Sequence, residues 1–223
     1  MIDLSTLDTD GFALVPSFID PDVANDLRAM YDDDARFRSR VVMQRHAFGR
    51  GEYKYFANPI PQAIAGLRER LYAALVPFAN AWASRLHLDM TFPSTHREFV
   101  ERCFASDQRR PTPLLLKYGT GDYNCLHQDL YGPVAFPLQA TVYLSRAGEE
   151  FGGGEVVLSE NRPRAQTRVH VLQPQQGDML VLPSRSVPRD GTRGTYRAQF
   201  KHGVGTVHWG TRYALGVVFH EAL

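Results

Sequence analysis

The stretch KYGTGDYNCLHQDL, Lys117 to Leu130, decides how the rest of the chain is read. It opens on Tyr118, turns at Gly119-Thr120-Gly121-Asp122 and closes on His127-Gln128-Asp129. Glycine suits a turn because it tolerates left-handed backbone, and aspartate because it hydrogen-bonds its own chain. In a strand, side chains two apart share a face. His127 and Asp129 therefore offer an imidazole nitrogen and a carboxylate oxygen side by side. Two such donors are part of a metal site only if a third is placed downstream.

Outward from this stretch, the second half of the chain reads as short strands and turns. Leu114–Tyr118 is a strand. Residues 138–145, LQATVYLS, alternate, with Gln139, Thr141 and Tyr143 on one face and Leu138, Ala140, Val142 and Leu144 on the other. Gly152-Gly153-Gly154 is a tight turn, with no Lys-Ser/Thr and helix start behind it to suggest phosphate binding. Arg168–Leu172, Met179–Pro183 and residues 212–219 are further strands, and residues 184–201 read as an Arg-rich loop. Short strands at this spacing predict a barrel or jelly roll.

The first half has a different periodicity. Asp20-Pro21 starts a helix that should bury Val23, Leu27 and Met30. Over 61–88, Ile64, Leu67, Leu71, Leu75, Phe78, Trp82 and Leu86 repeat at helical steps, and Pro77 should kink or divide that helix. Thr95 and Glu98 form a capping box for a second one, ending near Ser106. His87 and His96 read as structural. Residues 48–56, FGRGEYKYF, read as a loop and strand near a ligand or, the favoured reading for Tyr53, Lys54 and Tyr55, as surface β-structure. One domain over 1–223 is expected, α+β in class, with 1–112 mostly helical support and 113–223 the β core.

Composition narrows the partners. The chain has 223 residues, 43% hydrophobic, with a net charge of +1, which is neither disordered nor strongly polyanion-seeking. Two cysteines make no disulfide framework, and Cys125 reads as a buried thiol. The acidic N-terminus lacks a signal-peptide pattern and no apolar run is long enough to span a bilayer, so the expectation is a cytoplasmic protein with no membrane and no obligate protein partner. Charge is nonetheless uneven. Arg162, Arg164, Arg168, Arg185, Arg189, Arg193 and Arg197 face only Asp178 and Asp190 over that segment. Such a segment suits an anionic substrate, or is a solvated face.

His202 is the candidate third donor, with His208 as its rival. His202 stands ten residues before Arg212 (212 − 202 = 10) and in the context His-Gly-Val. Arg212, Ala214, Gly216 and Val218 share one face of the last strand. An arginine among small residues is out of place in a packed core but sensible in a cavity that holds a carboxylate, which guanidinium grips as a fork. Two histidines and one carboxylate on one side of a metal form the facial set of non-haem Fe(II) oxygenases.

Taken together, His127, Asp129, His202 and Arg212 resemble the Fe(II)- and 2-oxoglutarate-dependent oxygenases, whose fold is a double-stranded β-helix. Tyr118, Tyr143-Leu144, FGGGE at 151–155, GDMLVLP at 177–183 and HGVGTVHWGTRYAL at 202–215 carry the same resemblance. The ten-residue step is similar to the prolyl-hydroxylase-like branch. GEYKYF, YGTGDYNCLHQDLYG and FPLQ resemble a bacterial family assigned to oxidative demethylation of damaged DNA bases. The resemblance implies Fe(II), 2-oxoglutarate and O2, with His127, Asp129 and His202 as metal ligands. It also implies Arg212 on the distal carboxylate of 2-oxoglutarate, with Tyr143 or Tyr118 adding a hydroxyl. It implies hydroxylation of a C–H bond with release of succinate and CO2, on an alkylated base of single-stranded or damaged nucleic acid, or on a small molecule or protein side chain. In the former case Arg185 and Arg189 are the expected phosphate contacts. One departure stands out. Alkylation-repair demethylases carry a second arginine six residues after the first, where this chain has Val218. A cupin-like metal protein without 2-oxoglutarate would have no use for Arg212 and Tyr143.

Overall fold

Alternation in the second half closes into two antiparallel sheets with a cavity between them, in a computed structural model that describes residues 2–192 and 194–223. Arg193 lies outside the described residues. In chain order the helices are α1 (Leu7–Asp10), α2 (Pro21–Ala29), α3 (Gln62–Arg85) and α4 (His96–Ala105). The strands are β1 (Ala13–Val15), β2 (Phe37–Val42), β3 (Gly49–Arg50), β4 (Glu52–Phe56), β5 (Leu114–Tyr118), β6 (Tyr123–His127), β7 (Leu138–Tyr143) and β8 (Phe151–Gly153). They continue as β9 (Val156–Asn161), β10 (Arg168–Leu172), β11 (Met179–Pro183), β12 (Ser186–Gly191), β13 (Gly194–Val204), β14 (Val207–Gly210) and β15 (Arg212–Val217).

The major sheet runs β1-β11-β7-β15-β5-β4-β2 and the minor sheet β10-β9-β13-β6-β3, with β12 paired to β13. This is the jelly-roll arrangement expected from the strand pattern, and the double-stranded β-helix that the resemblance implied. The helical stripe behaves as its periodicity demands. Ile64, Leu67, Leu71, Leu75 and Trp82 of α3 are buried, in one apolar cluster with Leu138, Ala140, Val142, Leu215 and Val217. Truncating such a leucine to alanine costs about 2–5 kcal/mol. The capping box forms as read, with Thr95 accepting from Glu98 N–H and Glu98 from Thr95 N–H. α3 and α4 grip the chain just after β15. Arg68 donates to Val218 O at 2.7 Å and pairs with Glu221, and His96 Nε2 donates to Phe219 O at 2.9 Å.

Several expectations need correction. Pro77 does not divide α3, which runs from Gln62 to Arg85 with the proline on its exposed side. Val23 is exposed, and Ala24 takes its place beside Leu27 in the core. The first half is not helical support alone, because it contributes β1, β2 and β4 to the major sheet and β3 to the minor one. Tyr53, Lys54 and Tyr55 are consequently not surface β-structure. β4 lies between β2 and β5, so both its edges are paired, while Tyr31 and Phe37 cover Lys54 on one face and Leu114, Tyr131 and Val218 pack around Tyr55 on the other. Lys54 is buried with its ammonium on Tyr31 O at 2.8 Å and Asp34 at 2.6 Å. Residues 184–201 are not a loop either, but the hairpin β12–β13, with Ser186 opposite Gln199 and Gly191 opposite Gly194.

Candidate active site

Sheet register assembles the site. β6 and β13 are neighbours, and His127 pairs directly with His202. Directly opposed residues in an antiparallel pair hold their Cβ atoms about 5 Å apart, and the two imidazole centroids are 4.3 Å apart. Between His202 and Val204 the register slips by a bulge. Gly203 lies opposite that bulge, where a Cβ would meet Asn124 O at 2.6 Å. That contact explains the glycine after the histidine.

Asp129 lies two residues beyond His127, just past the end of β6. Its Oδ1 is 3.6 Å from His127 Nε2 and its Oδ2 is 3.1 Å from His202 Nε2. Tyr131 OH donates to Asp129 Oδ1 at 2.7 Å. Burial would raise the Asp129 carboxyl, but the His202 contact and the fields of both imidazoles outweigh it and hold the group well below the carboxylate range. His127 Nδ1 is 2.8 Å from Cys125 O. A carbonyl only accepts, so Nδ1 carries the proton and Nε2 keeps its lone pair for a ligand. Burial and the neighbouring His202 push the His127 imidazole toward its neutral form.

These residues fit a divalent metal. All three donor atoms lie within 4.8 Å of one another. Bonds of about 2.1 Å at right angles require donors about 3 Å apart, close to the separations observed. Two imidazoles and one carboxylate leave half of an octahedron for other ligands. His208 is not part of the group. It lies exposed on β14, and its neighbour Trp209 packs over Gly152.

The opposite end of the cavity fits a dicarboxylate. The cavity measures about 480 Å³ and is lined by both sheets. Arg212 opens β15, faces Tyr118 of β5 in register, and stands one step from the Ala214–Tyr143 pair with β7. It is only 4% exposed, and its guanidinium carbon sits 5.4 Å from the ring centres of both Tyr118 and Tyr143. Among the described residues it has no ion-pair or hydrogen-bond partner, and a buried unpaired charge is costly. An incoming carboxylate would remove that cost. Burial pushes the Tyr118 phenol up to about 12 in spite of Arg212, and raises Tyr143 as well. Both are therefore neutral hydroxyl donors. Asn124 Nδ2 donates to Tyr118 OH at 3.3 Å and orients it.

Not every expected residue arrives. Arg189 is buried, and its guanidinium binds Glu160 at 2.8 Å and the carbonyls of Asp8, Thr9 and Asp10 at 3.2, 2.6 and 2.7 Å. It closes the carboxyl end of α1, where a cation is favoured, and cannot touch substrate. Arg162 is likewise held by Glu160. Arg185 is exposed, beside a second, 220 Å³ cleft whose walls include Trp82, Met90 and Arg197. Leu130 lines both cavities. Gln128 joins the cleft to the site, donating to Arg185 O at 2.9 Å and Phe200 O at 2.8 Å. Cys125 is exposed rather than buried. Tyr131 and Asn124 were not singled out by sequence, since a phenol two residues past a ligand has no spacing signature of its own.

Comparison with known proteins agrees with this geometry. Residues 51–222 match the Oxygenase-NA family, described as "Oxygenase, catalysing oxidative methylation of damaged DNA". An uncharacterized protein of Mycobacterium tuberculosis is 40% identical over 189 residues, 85% of this chain and 78% of that protein. The human "2-oxoglutarate and iron-dependent oxygenase domain-containing protein 3" is 26% identical over 75% of this chain and 45% of its own length. Among solved structures, a Pseudomonas putida prolyl-4-hydroxylase superposes with a TM-score of 0.53 at 15% identity, covering 95% of this chain and 92% of the other. A Trichoplax adhaerens prolyl hydroxylase gives 0.54 at 14% identity, over 95% and 84%. These two likenesses concern the fold.

Proposed function

The chain belongs to the Oxygenase-NA family and is an oxygenase of the 2-oxoglutarate- and iron-dependent class; we propose that its substrate is an N-alkylated base in single-stranded nucleic acid. The observation that carries the reading is one cavity with His127, Asp129 and His202 in its wall and an unpartnered Arg212 at its far end. Iron with 2-oxoglutarate and O2, when bound, puts one oxygen atom into a substrate C–H bond and the other into succinate, with loss of CO2.

The protein's own residues bind and orient. His127, Asp129 and His202 are the metal ligands. Tyr131 fixes the Asp129 carboxylate by its hydrogen bond, and Cys125 O fixes the His127 tautomer. Arg212 takes the distal carboxylate of the co-substrate in a charge-assisted fork, with Tyr118 and Tyr143 as neutral donors beside it. Leu114, Leu182 and Val218 add apolar surface to the cavity wall. On an N-methyl group, hydroxylation yields a hemiaminal that loses formaldehyde and frees the nitrogen.

The family description supports nucleic acid as the substrate. So do Arg185 and Arg197 at the apolar cleft that adjoins the cavity at Leu130. Apolar surfaces suit stacked bases and arginines suit phosphates. With Val218 at the sixth position after Arg212, any phosphate contact comes from this rim rather than from the last strand. Among the described residues no helix is long and apolar enough to cross a membrane.

The test is product analysis with iron, 2-oxoglutarate and a single-stranded oligonucleotide carrying N-methylated bases. Equal yields of succinate and formaldehyde are expected. Succinate coupled to a small molecule or a peptide, with none coupled to the oligonucleotide, would overturn the substrate and favour the hydroxylase alternative.

A further inference from the structure

Four buried polar side-chain atoms have no hydrogen-bond partner among the described residues: Gln139 Nε2, His170 Nε2, His220 Nε2 and Glu221 Oε2. Of their residues, Gln139 alone lines the catalytic cavity. It is 5% exposed, and no hydrogen bond reaches its amide oxygen from the described residues. An amide left unpaired inside a protein costs stability, so its place calls for a ligand.

Several of the residues placed beside it are apolar. Gln139 lies opposite Leu182 in the β7–β11 pair. Leu114 and Val218, which also line the cavity, belong to one apolar cluster with Tyr55. Its position along β7 tells which ligand it meets. Gln139, Thr141 and Tyr143 share the cavity face, and Tyr143 stands at the Arg212 end. Four residues of strand separate Gln139 from Tyr143 by roughly 13 Å. The co-substrate anchored on Arg212 therefore occupies the other end, and Gln139 belongs to the substrate half.

A glutamine amide offers a donor and an acceptor side by side, and its last torsion turns freely enough to choose their order. That pattern is the complement of adenine's N6 amino group and N7. A methyl group on N1 leaves that edge free. Resting on the nucleic-acid reading above, we propose that Gln139 reads the substrate base, pairing its side-chain amide with the N6 and N7 edge of an N-methylated adenine. A methylated cytosine presents an amino group but no ring acceptor beside it on that edge, so it loses one of the two bonds.

The experiment compares the parent with Gln139→Leu, which keeps the volume and removes the amide. Three quantities are read: urea-unfolding stability, the KM for 2-oxoglutarate without prime substrate, and the KM for single-stranded oligonucleotides bearing either 1-methyladenine or 3-methylcytosine. The variant should be at least as stable as the parent, with an unchanged 2-oxoglutarate KM. Its KM for the methyladenine oligonucleotide should rise about tenfold, the loss of two neutral hydrogen bonds, and the parent's preference for adenine should vanish. A less stable variant would mean the amide has a protein partner and would overturn the proposal. So would an unchanged methyladenine KM beside a parent that removes the methyl group, and that result leaves the nucleic-acid reading standing. A parent that leaves both bases methylated sinks that reading and this proposal together.

Discussion

Replacing Arg212 with methionine separates a ligand-binding cation from a structural one. Methionine keeps most of the stem that packs between Tyr118 and Tyr143 and removes the charge. Arg212 is 4% exposed and lacks a protein anion among the described residues. In a ligand-free protein the substitution should therefore be neutral or stabilising, by analogy with apolar replacement of buried ions, which gains about 1–4 kcal/mol in favourable cases. With 2-oxoglutarate the sign reverses. A charge-assisted fork contributes about 1.5–3 kcal/mol, so affinity should fall roughly tenfold to 150-fold. The parent gains about 2.7 kcal/mol of stability at a hundredfold excess over Kd, and the variant should lose roughly half to nine-tenths of that gain at the same concentration. Urea unfolding with and without 2-oxoglutarate, in anaerobic buffer with Mn(II) in place of Fe(II), reads both signs in one experiment. Arg212→Lys should recover charge but not the fork, and so fall between. The reasoning fails if the methionine variant binds 2-oxoglutarate as the parent does. It fails equally if that variant is destabilised by more than about 2 kcal/mol without ligand, because Arg212 would then have a protein partner.

His202→Ala should abolish metal binding, measured by equilibrium dialysis, whereas His208→Ala should leave it intact because His208 lies outside the donor group. Tyr131→Phe should weaken metal affinity by roughly tenfold, in the range seen when an outer hydrogen bond to a ligand is lost; an unaltered titration would deny Tyr131 its positioning role. Arg185→Ala should lower the salt slope of single-stranded DNA binding by about one unit. Arg189→Ala should instead leave the slope unchanged and cost about 1–3 kcal/mol, since it removes one of the two guanidinium partners of the fully buried Glu160 and the donor to the carbonyls of Asp8, Thr9 and Asp10. His96 and His220 predict an acid limb of stability. Burial, and secondarily Arg68, lowers each imidazole from 6.5 to about 4. The folded state then binds protons less readily than the unfolded one, so stability is full above about pH 6.5 and falls as pH drops toward 4, by up to about 3 kcal/mol per group. Urea midpoints between pH 7.5 and 4.5 should follow that fall, and His220→Phe should flatten it.

Sequence alone determined what depends on local spacing and residue chemistry. The 3.6-residue stripe of α3, the Thr95–Glu98 box and the alternation of β7 follow from backbone geometry that tertiary contacts did not need to override. That His127, Asp129 and His202 come together, in one cavity with Arg212, was legible because few residue types suit a donor cluster or a buried cation and a strand fixes which side chains share a face. Tertiary structure decided what depends on coverage by distant segments. Lys54 is buried under the rings of Tyr31 and Phe37, and Tyr55 against Leu114, Tyr131 and Val218, and no short window of sequence reports what packs on a strand's faces. Arg189 looks like Arg185 in sequence, yet one meets the end of α1, some 180 residues earlier, and the other meets solvent. Gln139 reads as one polar residue in an alternating strand. Only the closed barrel sets its amide, unpaired, into the wall of the catalytic cavity, because hydrogen-bond satisfaction is a property of the surroundings and not of the residue.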